Sequence, residues 1–500
     1  MKLILVGLFI YSLLPILRIS EFISGKVLGN NLMSNDGEEA DLNLPLRSIN
    51  LDKISRSLSE YVDFDVDPCD DFHKFTCKKW LKYSGSEKNN IMEDDESPFT
   101  HKFENFEKRA IRGDFNHMSE AIKKINRIYQ KCEMIEVDYN INCTDQLRNF
   151  ALYAFASVYI NNQIKDRNIE DDYIIAKGMI NNIKEELKIL INDKKNLFDE
   201  KSRSNFMEKV DYMILFQKFH KDLSDVSFME ECYKYIQYID SYNFDEIKEN
   251  LVNYNLMEFE SEEIRNRCLL YLQTDNSLDY NIILDLVDDE ATYSREDNYF
   301  IINPSMLKEP YFSVDYPDSL NYGGLGVVIG HEIIHGFDSE GVHYDYLGKT
   351  DSKMISESSE DKYKQKSECF EEQYGNEVDI ISNKNINGTL TLNENIADNG
   401  GIKIAHRAYM KYIQSIEHEE PIIPGFENFT SEKLFFINFG RSLCEKSRDE
   451  IIEKKPYEDG EHSTVNLRVI KTLSNYKPFS KAFDCDVGRN MNLEDKCELW

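Results

Sequence analysis

Two histidines and a glutamate have the residue types and the spacing that metal chemistry needs. The stretch His331-Glu332-Ile333-Ile334-His335 places the histidines at i and i+4, so both rings lie on one face of a helix and can bind one metal ion through imidazole nitrogens. Glu332 points away from direct ligation but is close enough to polarise a metal-bound water. The alternative is a pair of histidines that only make core hydrogen bonds. In so apolar a helix, a bound metal better offsets the desolvation of these groups.

A catalytic zinc site needs a third protein ligand and one open position. His343 does not fit the pattern HExxHxxGxxH, which requires Gly at 338 and His at 341, where this chain has Asp338 and Gly341. A carboxylate further along the chain is the alternative, and Glu394 and Asp398 stand at i and i+4, on one helical face. Glu394 is the candidate ligand, and Asp398 would accept the free ring N–H of a bound histidine. Alone this acidic pair is weak evidence, because such pairs are common in so acidic a chain.

Hydrophobic patterning predicts the helices that carry these residues. Residues 323–337 have apolar side chains on nearly every face, which predicts a buried helix. A second helix is predicted over residues 396–416, and its adjacent Gly400 and Gly401 are expected to bend or break it. A third helix is predicted over residues 434–452.

The N-terminal half has the pattern of a helical lobe. A strand-like segment rich in tyrosine, residues 291–312, separates it from the metal motif, and we place the boundary near residue 280. Apolar residues at helical spacing predict helices over residues 121–134, 147–160, 174–191 and 206–219.

Length and charge restrict the class of protein. The chain has 500 residues, and its 59 Lys and Arg against 91 Asp and Glu give a formal net charge of −32. Without a dense basic stretch, such a chain is unsuited to binding nucleic acid or an anionic membrane, whereas a cationic peptide would be attracted. Apolar residues make up 41% of the chain, which is enough for one large core or two smaller ones. The length corresponds to about two or three domains of typical size.

The N-terminal segment indicates export. An apolar run from Leu3 to Leu17 is too short to span a bilayer and contains Pro15. We interpret residues 1–24 as a cleaved signal peptide of a secreted, extracellular protein. The alternative is a signal anchor that tethers a single-pass type II membrane protein, with its catalytic domain outside the cell. Residues 25–60 have the composition of a linker.

The cysteines agree with export. There are ten of them, and no CxxC pair suggests a metal knuckle or a redox site, so disulfides are the better interpretation. Three glycosylation sequons, which fit an exposed extracellular surface, occur at Asn142, Asn387 and Asn428.

The sequence around these motifs resembles the neprilysin-like zinc metallopeptidases, a family of gluzincins that includes the endothelin-converting enzymes. The resemblance covers about residues 281–500, through SLNYGGLGVVIGHEIIHGFD, NENIADNGG, KLFFINFG, EHSTVNLRV and the terminal CELW. PCDDFHKFTCKKW, around Cys69 and Cys77, is similar to the family's N-terminal cysteine motif. The resemblance implies a mainly α (α+β), two-lobed zincin-type fold, with a thermolysin-like catalytic lobe over residues 281–500 and a shortened helical lobe over residues 61–280.

The resemblance also implies roles for single residues. His331, His335 and Glu394 match the family's zinc ligands, and Glu332 matches its general base. Asp398 matches the carboxylate that orients the first histidine.

Further matches concern the substrate. His462 matches the family's transition-state histidine, and Arg468 matches the arginine that hydrogen-bonds the substrate carbonyl. Glu290 and Ala291 fall where the family has an Asn-Ala pair that anchors the peptide backbone. An ionised Glu only accepts hydrogen bonds and repels a carboxylate, so a changed substrate preference is expected.

The resemblance implies a disulfide framework. Bridges from the N-terminal region to the catalytic lobe would hold the two together. The implied pairs are Cys69 with Cys485, Cys77 with Cys444, Cys132 with Cys143 and Cys369 with Cys497, which leaves Cys232 and Cys268 for each other.

The implied function is that of a zinc-dependent endopeptidase with one Zn2+ per chain. It would hydrolyse peptides on the amino side of hydrophobic residues through a metal-activated water. The chain between Trp80 and Glu290 is much shorter than the family's corresponding region, whose helices restrict the cavity to small peptides. The alternative is therefore a secreted peptide-binding pseudo-protease with little or no activity. Peptides are the expected partners in both cases.

Overall fold

The computed structural model describes most of the chain after residue 48. Among the described residues, no helix is long and apolar enough to cross a membrane. The signal segment over residues 1–24 and the sequon at Asn142 lie outside them. The described residues are 49–86, 102–139, 143–164, 169–215, 223–235, 245–246, 249, 259–272, 283–284, 286–287, 290–350, 353–378, 383–416, 419–444 and 461–500.

Helices dominate this part of the chain, which confirms the mainly α prediction. Their bounds, in chain order, are α1 Leu51–Ser59, α2 Phe72–Ser86, α3 Lys102–Arg112, α4 Glu120–Tyr139, α5 Cys143–Ile164, α6 Ile169–Asp193, α7 Glu200–Tyr212, α8 Val226–Tyr233, α9 Glu262–Leu272, α10 Asp318–Asn321, α11 Val327–His335, α12 Glu357–Gly375, α13 Leu392–Ser415, α14 Ser431–Ser442, α15 Val465–Asn475 and α16 Lys477–Ala482.

A small sheet lies beside these helices. Its strands are β1 Ile214–Leu215, β2 Thr292–Ser294 and β3 Tyr299–Ile301, in the order β1-β3-β2. β1 runs parallel to β3 and β2 runs antiparallel to it. The helix predicted over residues 206–219 therefore ends early, because the residues after Tyr212 extend and pair with β3. The strand-like prediction for residues 291–312 is confirmed at β2 and β3.

The turn between β2 and β3 is fixed by Asn298. Its backbone is left-handed, with φ of 54°, a conformation that Asn tolerates better than most residues. The Tyr293 hydroxyl donates to its Oδ1 at 2.9 Å, and its Nδ2 donates to the Lys209 carbonyl at 3.1 Å. The turn is thus held against α7.

Two hydrophobic cores form in the described residues. The smaller one is built mainly from α3, α4, α5, α8 and α9. The larger one surrounds α11 and takes side chains from α1, α2, α6 and α7 as well as from the C-terminal helices. The division of the chain near residue 280 stays a prediction, and the larger core draws on elements from both sides of it.

The start of the chain joins the larger core. Residues 51–59 fall within the predicted linker over residues 25–60 but form α1, whose Ile54 and Leu58 are buried. The Asn50 side chain caps this helix by accepting from the Lys53 N–H at 3.0 Å. Helical structure is thus present before residue 60, because the apolar side of α1 packs against the larger core.

Disulfides fasten the N-terminal region to the C-terminal half of the chain. Cys69 is bonded to Cys485 and Cys77 to Cys444, across 416 and 367 residues of chain. Such cross-links stabilise proteins by about 2–4 kcal/mol each, largely by restricting the unfolded chain. Cys132 is also disulfide-bonded, but the Cys143 side chain lies outside the described part. The predicted pairs Cys369–Cys497 and Cys232–Cys268 are confirmed as well.

The helix predicted over residues 323–337 has a more complex course. It begins earlier, with α10, passes through a π-helical turn at Tyr322–Gly326 and continues as α11 to His335. In this turn the backbone at Gly324 packs closely against Tyr311 and Asn438. The third helix, predicted over residues 434–452, is α14, which ends at Ser442; residues 445–452 lie outside the described part.

The prediction that Gly400 and Gly401 break the second helix is wrong. α13 runs unbroken from Leu392 to Ser415, and the glycines let its backbone touch that of α11. A Cβ atom on Gly401 would lie 2.6 Å from the His331 backbone nitrogen, and one on Gly330 would lie 2.5 Å from the Gly401 carbonyl oxygen. Both distances are too short for real atoms, so the contact between the two helices requires glycine on both sides.

We predict that Gly401→Ala lowers the free energy of unfolding by about 1–3 kcal/mol, because the helices must separate to admit a methyl group. Gly178→Ala is the matched control, since a Cβ there meets nothing within 4 Å and α6 should gain about 0.5–1 kcal/mol. Denaturant unfolding without reductant measures both. Equal stability of the two variants would contradict the tight contact.

Candidate functional site

The two histidines of the motif meet on one face of α11. Their Nε2 atoms lie 3.0 Å apart, and both residues are buried. Glu394 reaches the same point from the first turn of α13, with Oε2 3.1 Å from His331 Nε2 and Oε1 3.4 Å from His335 Nε2. The structure thus brings all three predicted ligands together.

Each histidine is held from its other nitrogen by a carboxylate. His331 Nδ1 is 2.9 Å from Asp398 Oδ1, and His335 Nδ1 is 2.8 Å from Asp338 Oδ2. An ionised carboxylate only accepts, so each Nδ1 carries the hydrogen and each Nε2 presents a lone pair. Two facing lone pairs repel each other, so a positive charge, either a proton or a metal ion, belongs between them.

These donors fit a divalent metal such as zinc. Oε2 of Glu394 is buried and, within the described residues, lacks a hydrogen bond of good geometry. Two imidazole nitrogens and one carboxylate form the ligand set of many catalytic zinc sites. Burial alone would lower the pKa of His331, but the neighbouring carboxylates of Asp398 and Glu394 outweigh it and raise the pKa to about 9. A metal binding here must therefore displace a proton.

Asp398 has an arginine partner. Nε of Arg468 donates to Oδ2 at 2.8 Å and Nη2 donates to Oδ1 at 2.7 Å, a bidentate pair in which both residues are largely buried. Burial would raise the pKa of Asp398, but the Arg468 charge holds it well below its usual range. This contact was not predicted, because the sequence linked Arg468 only to the substrate.

His335 has a matching support that sequence reasoning missed. Asp338 is fully buried, and its Oδ2 also accepts from Arg295 Nη2 at 2.8 Å. The sequence offered one signal for this contact, since Asp338 follows His335 by three residues and can reach back to its ring. No pattern indicated Arg295, which lies in the turn between β2 and β3.

Glu332 lies inside the site and is buried. Its pKa is raised, chiefly by burial, although the charges of His331 and His335 oppose the shift. A carboxylate with a raised pKa suits proton transfer near neutral pH. This buried environment is therefore compatible with the predicted role of general base.

His462 also reaches Glu394. Its Nε2 is 2.9 Å from Glu394 Oε2, and its side chain is 47% exposed. By distance alone, His331, Glu394 and His462 form a group that could hold a metal. This set differs from the predicted one by exchanging His335 for His462. We favour His335, because it is buried and oriented by Asp338, whereas His462 stands at the solvent edge.

The predicted substrate pair lies at the margin of the site. Glu290 is exposed, and its backbone carbonyl accepts from Asn303 Nδ2 at 2.6 Å just before β2. Ala291, which follows, is partly buried. The Glu290 charge helps to raise the pKa of Arg468, so Glu290 lies on the Arg468 side. β2 is an edge strand of the sheet and packs against α11.

Comparison with known proteins finds relatives of the C-terminal part of the chain. Residues 290–499 match the model of Peptidase family M13. An endothelin-converting enzyme homolog of Locusta migratoria is 40% identical over 210 residues, which cover 42% of this chain and 28% of that protein. Neprilysin of Homo sapiens is 41% identical over 211 residues, with the same coverage. The match thus spans little more than a quarter of the length of these relatives.

Two solved structures share the fold. The Mycobacterium tuberculosis zinc metalloprotease ZMP1 in complex with inhibitor has a TM-score of 0.51 at 20% identity, over 71% of this chain and 50% of that one. The Haemonchus galactose-containing glycoprotein complex has a TM-score of 0.58 at 18% identity, over 90% of this chain and 99% of that one. At these identities the likeness establishes the fold alone. With the family match, it confirms the resemblance to the neprilysin-like zinc metallopeptidases, and residues 290–499 carry the signature of Peptidase family M13.

Proposed function

We propose that this protein is a zinc-dependent endopeptidase with His331, His335 and Glu394 as its metal ligands. One observation supports this most strongly. The two imidazole Nε2 atoms and the Glu394 carboxylate converge on one point, and each histidine is oriented from behind by a buried carboxylate. Such support is characteristic of metal-binding histidines.

Zinc in this position would act as a Lewis acid, which polarises a substrate carbonyl and lowers the pKa of water. Glu332 then takes a proton from the attacking water and delivers it to the leaving amine. Its burial beside the motif histidines supports this role. The protein residues thus supply the proton transfer, which typically contributes about 10²–10⁴-fold to the rate.

His462 and Arg468 are the candidate donors to the oxyanion that develops at the scissile carbonyl. Arg468 uses Nε and Nη2 on Asp398, which leaves the Nη1 hydrogens to face a substrate. His462 stands at the exposed edge of the same site. Donors placed in advance stabilise charge that is absent from the ground state, and one of them is typically worth about 3 kcal/mol.

The peptide would lie along the exposed edge beside Glu290 and Ala291 and be cleaved on the amino side of hydrophobic residues. The four described disulfides support a protein that works outside the cell. Because Glu290 replaces an amide, it should disfavour a carboxylate near the cleaved bond.

The first experiment compares zinc content and hydrolysis of a quenched peptide library for the parent and Glu332→Gln. Both should bind one zinc, and the variant should be slower by about 10²–10⁴-fold, because it cannot accept the proton. Zinc in both proteins without cleavage by either would favour a peptide-binding pseudo-protease. Lack of zinc in both would refute the metal site.

A second experiment decides whether His335 or His462 is a metal ligand. We expect His335→Gln to weaken zinc binding by at least about 100-fold, beyond the loss that follows removal of a ligand's hydrogen-bond partner. His462→Gln should keep its zinc and lose about 10²–10³-fold in kcat, as expected for an oxyanion donor. Competition with a chromogenic chelator and steady-state kinetics separate the two effects. The reverse pattern would make His462 the ligand.

A third experiment tests whether Glu290 affects the preference for substrates with a free C-terminal carboxylate. Glu290→Asn should raise kcat/KM by about fivefold for a peptide whose free C-terminal carboxylate lies next to the cleaved residue, as expected for the loss of one exposed like charge. The same peptide with an amidated C-terminus is the control and should change less. An equal effect on the two peptides would show that Glu290 does not sense the carboxylate.

A further inference from the structure

Arg295 makes a contact that the proposed catalytic mechanism does not use. It lies in the turn between β2 and β3, its Nη2 donates to Asp338 Oδ2 at 2.8 Å, and its Nη1 is 3.5 Å from Glu340 Oε2. The side chain is 27% exposed, whereas that of Asp338 is fully buried. Arg295 thus reaches inward from the surface, and its guanidinium group holds the buried Asp338 carboxylate in place.

Each carboxylate oxygen of Asp338 has two hydrogen-bond donors. Oδ1 accepts the backbone N–H groups of Glu340 at 3.0 Å and Gly341 at 2.7 Å. Oδ2 accepts from Arg295 and from Nδ1 of His335. Backbone contacts thus fix one oxygen, and the other is shared between a permanent cation and the histidine ring. The direction of the His335 ring therefore depends on where Oδ2 is held.

Arg295 is the cation in contact with this carboxylate. The nearby Lys209 is also buried, but its Nζ donates to the Gly341 carbonyl at 2.8 Å. Burial lowers the pKa of Lys209 to about 7, so it is only partly charged at neutral pH. Arginine stays protonated in all ordinary conditions. A buried carboxylate without such a partner carries a large desolvation penalty.

The two motif histidines thus have equivalent supports. Asp398 orients His331 and is itself held by Arg468 from α15. On the other side Asp338 orients His335, and the arginine comes from the hairpin of β2 and β3.

We propose that Arg295 is a positioning residue of the metal centre, which acts through Asp338 to hold His335 in its metal-binding orientation. The inference rests on the proposed zinc site. The arginine keeps Oδ2 of Asp338 in place, and Asp338 keeps the hydrogen of His335 on Nδ1 and its lone pair on Nε2. The turn that carries Arg295 is itself held by the hydrogen bonds of Asn298.

The test measures zinc affinity by competition with a chromogenic chelator in the full chain. Arg295→Met removes the charge and keeps much of the length, and we expect its zinc Kd to rise about 10-fold, the lower end of the range for outer partners of metal ligands. Arg295→Lys should recover most of the loss. Glu340→Gln is the matched control, because it alters the other partner of Arg295 and leaves Asp338 in place. Its Kd should stay within about twofold, as for an exposed pair.

Two further readouts separate positioning from folding. Loss of the charge partner of buried Asp338 should lower the melting temperature of metal-free Arg295→Met, whereas that of Arg295→Lys should stay close to the parent. The visible spectrum of cobalt-substituted Arg295→Met should also shift, which a loss of stability alone would not cause. An unchanged Kd in Arg295→Met would overturn the inference, as would equal losses in the Met and Lys variants with lowered metal-free melting temperatures. A parent that binds zinc but cleaves nothing would refute the proposed peptidase and leave this inference standing. A parent that binds no zinc would refute both.

Discussion

The contact between the backbones of α11 and α13 governs the geometry of the site. Gly330 and Gly401 allow the helices to touch where a single methyl group would collide. One helix carries His331 and His335, and the other carries Glu394 almost two turns before the contact at Gly401. Helices packed through side chains lie about 8–10 Å apart, and this closer approach lets a carboxylate reach both imidazoles. The positions of the candidate ligands therefore follow from the two glycines.

The burial of so many ionisable groups carries a desolvation penalty. The fold offsets this penalty by giving each buried group a charged or polar partner. Glu394 approaches both imidazoles, and each imidazole is backed by an aspartate. Asp398 is neutralised by Arg468 and Asp338 by Arg295. A small metal ion would supply the positive charge that is needed at the centre of the site. Charges thus alternate outward from the metal position, which limits the desolvation penalty of each group.

Sequence reasoning found the parts of the site that local spacing encodes. The i, i+4 patterns pointed to both histidines and to the acidic pair, because helical periodicity alone puts such residues on one face. His462 and Arg468 emerged only through the family resemblance. Arg295 was missed because its contact joins a hairpin to a distant helix end, which no local pattern encodes. The glycines of α13 were misjudged for a related reason, since low helix propensity was outweighed by tertiary packing.

Zinc-edge X-ray absorption of the zinc-loaded protein tests the central claim most directly, because it counts and identifies the atoms around the metal. The account predicts two imidazole nitrogens and carboxylate or water oxygens at about 2.0–2.2 Å. Loss of one imidazole from the spectrum of His335→Gln, but not from that of His462→Gln, would agree with the proposed ligands. Three imidazoles around the metal, or zinc bound without defined protein ligands, would contradict the account.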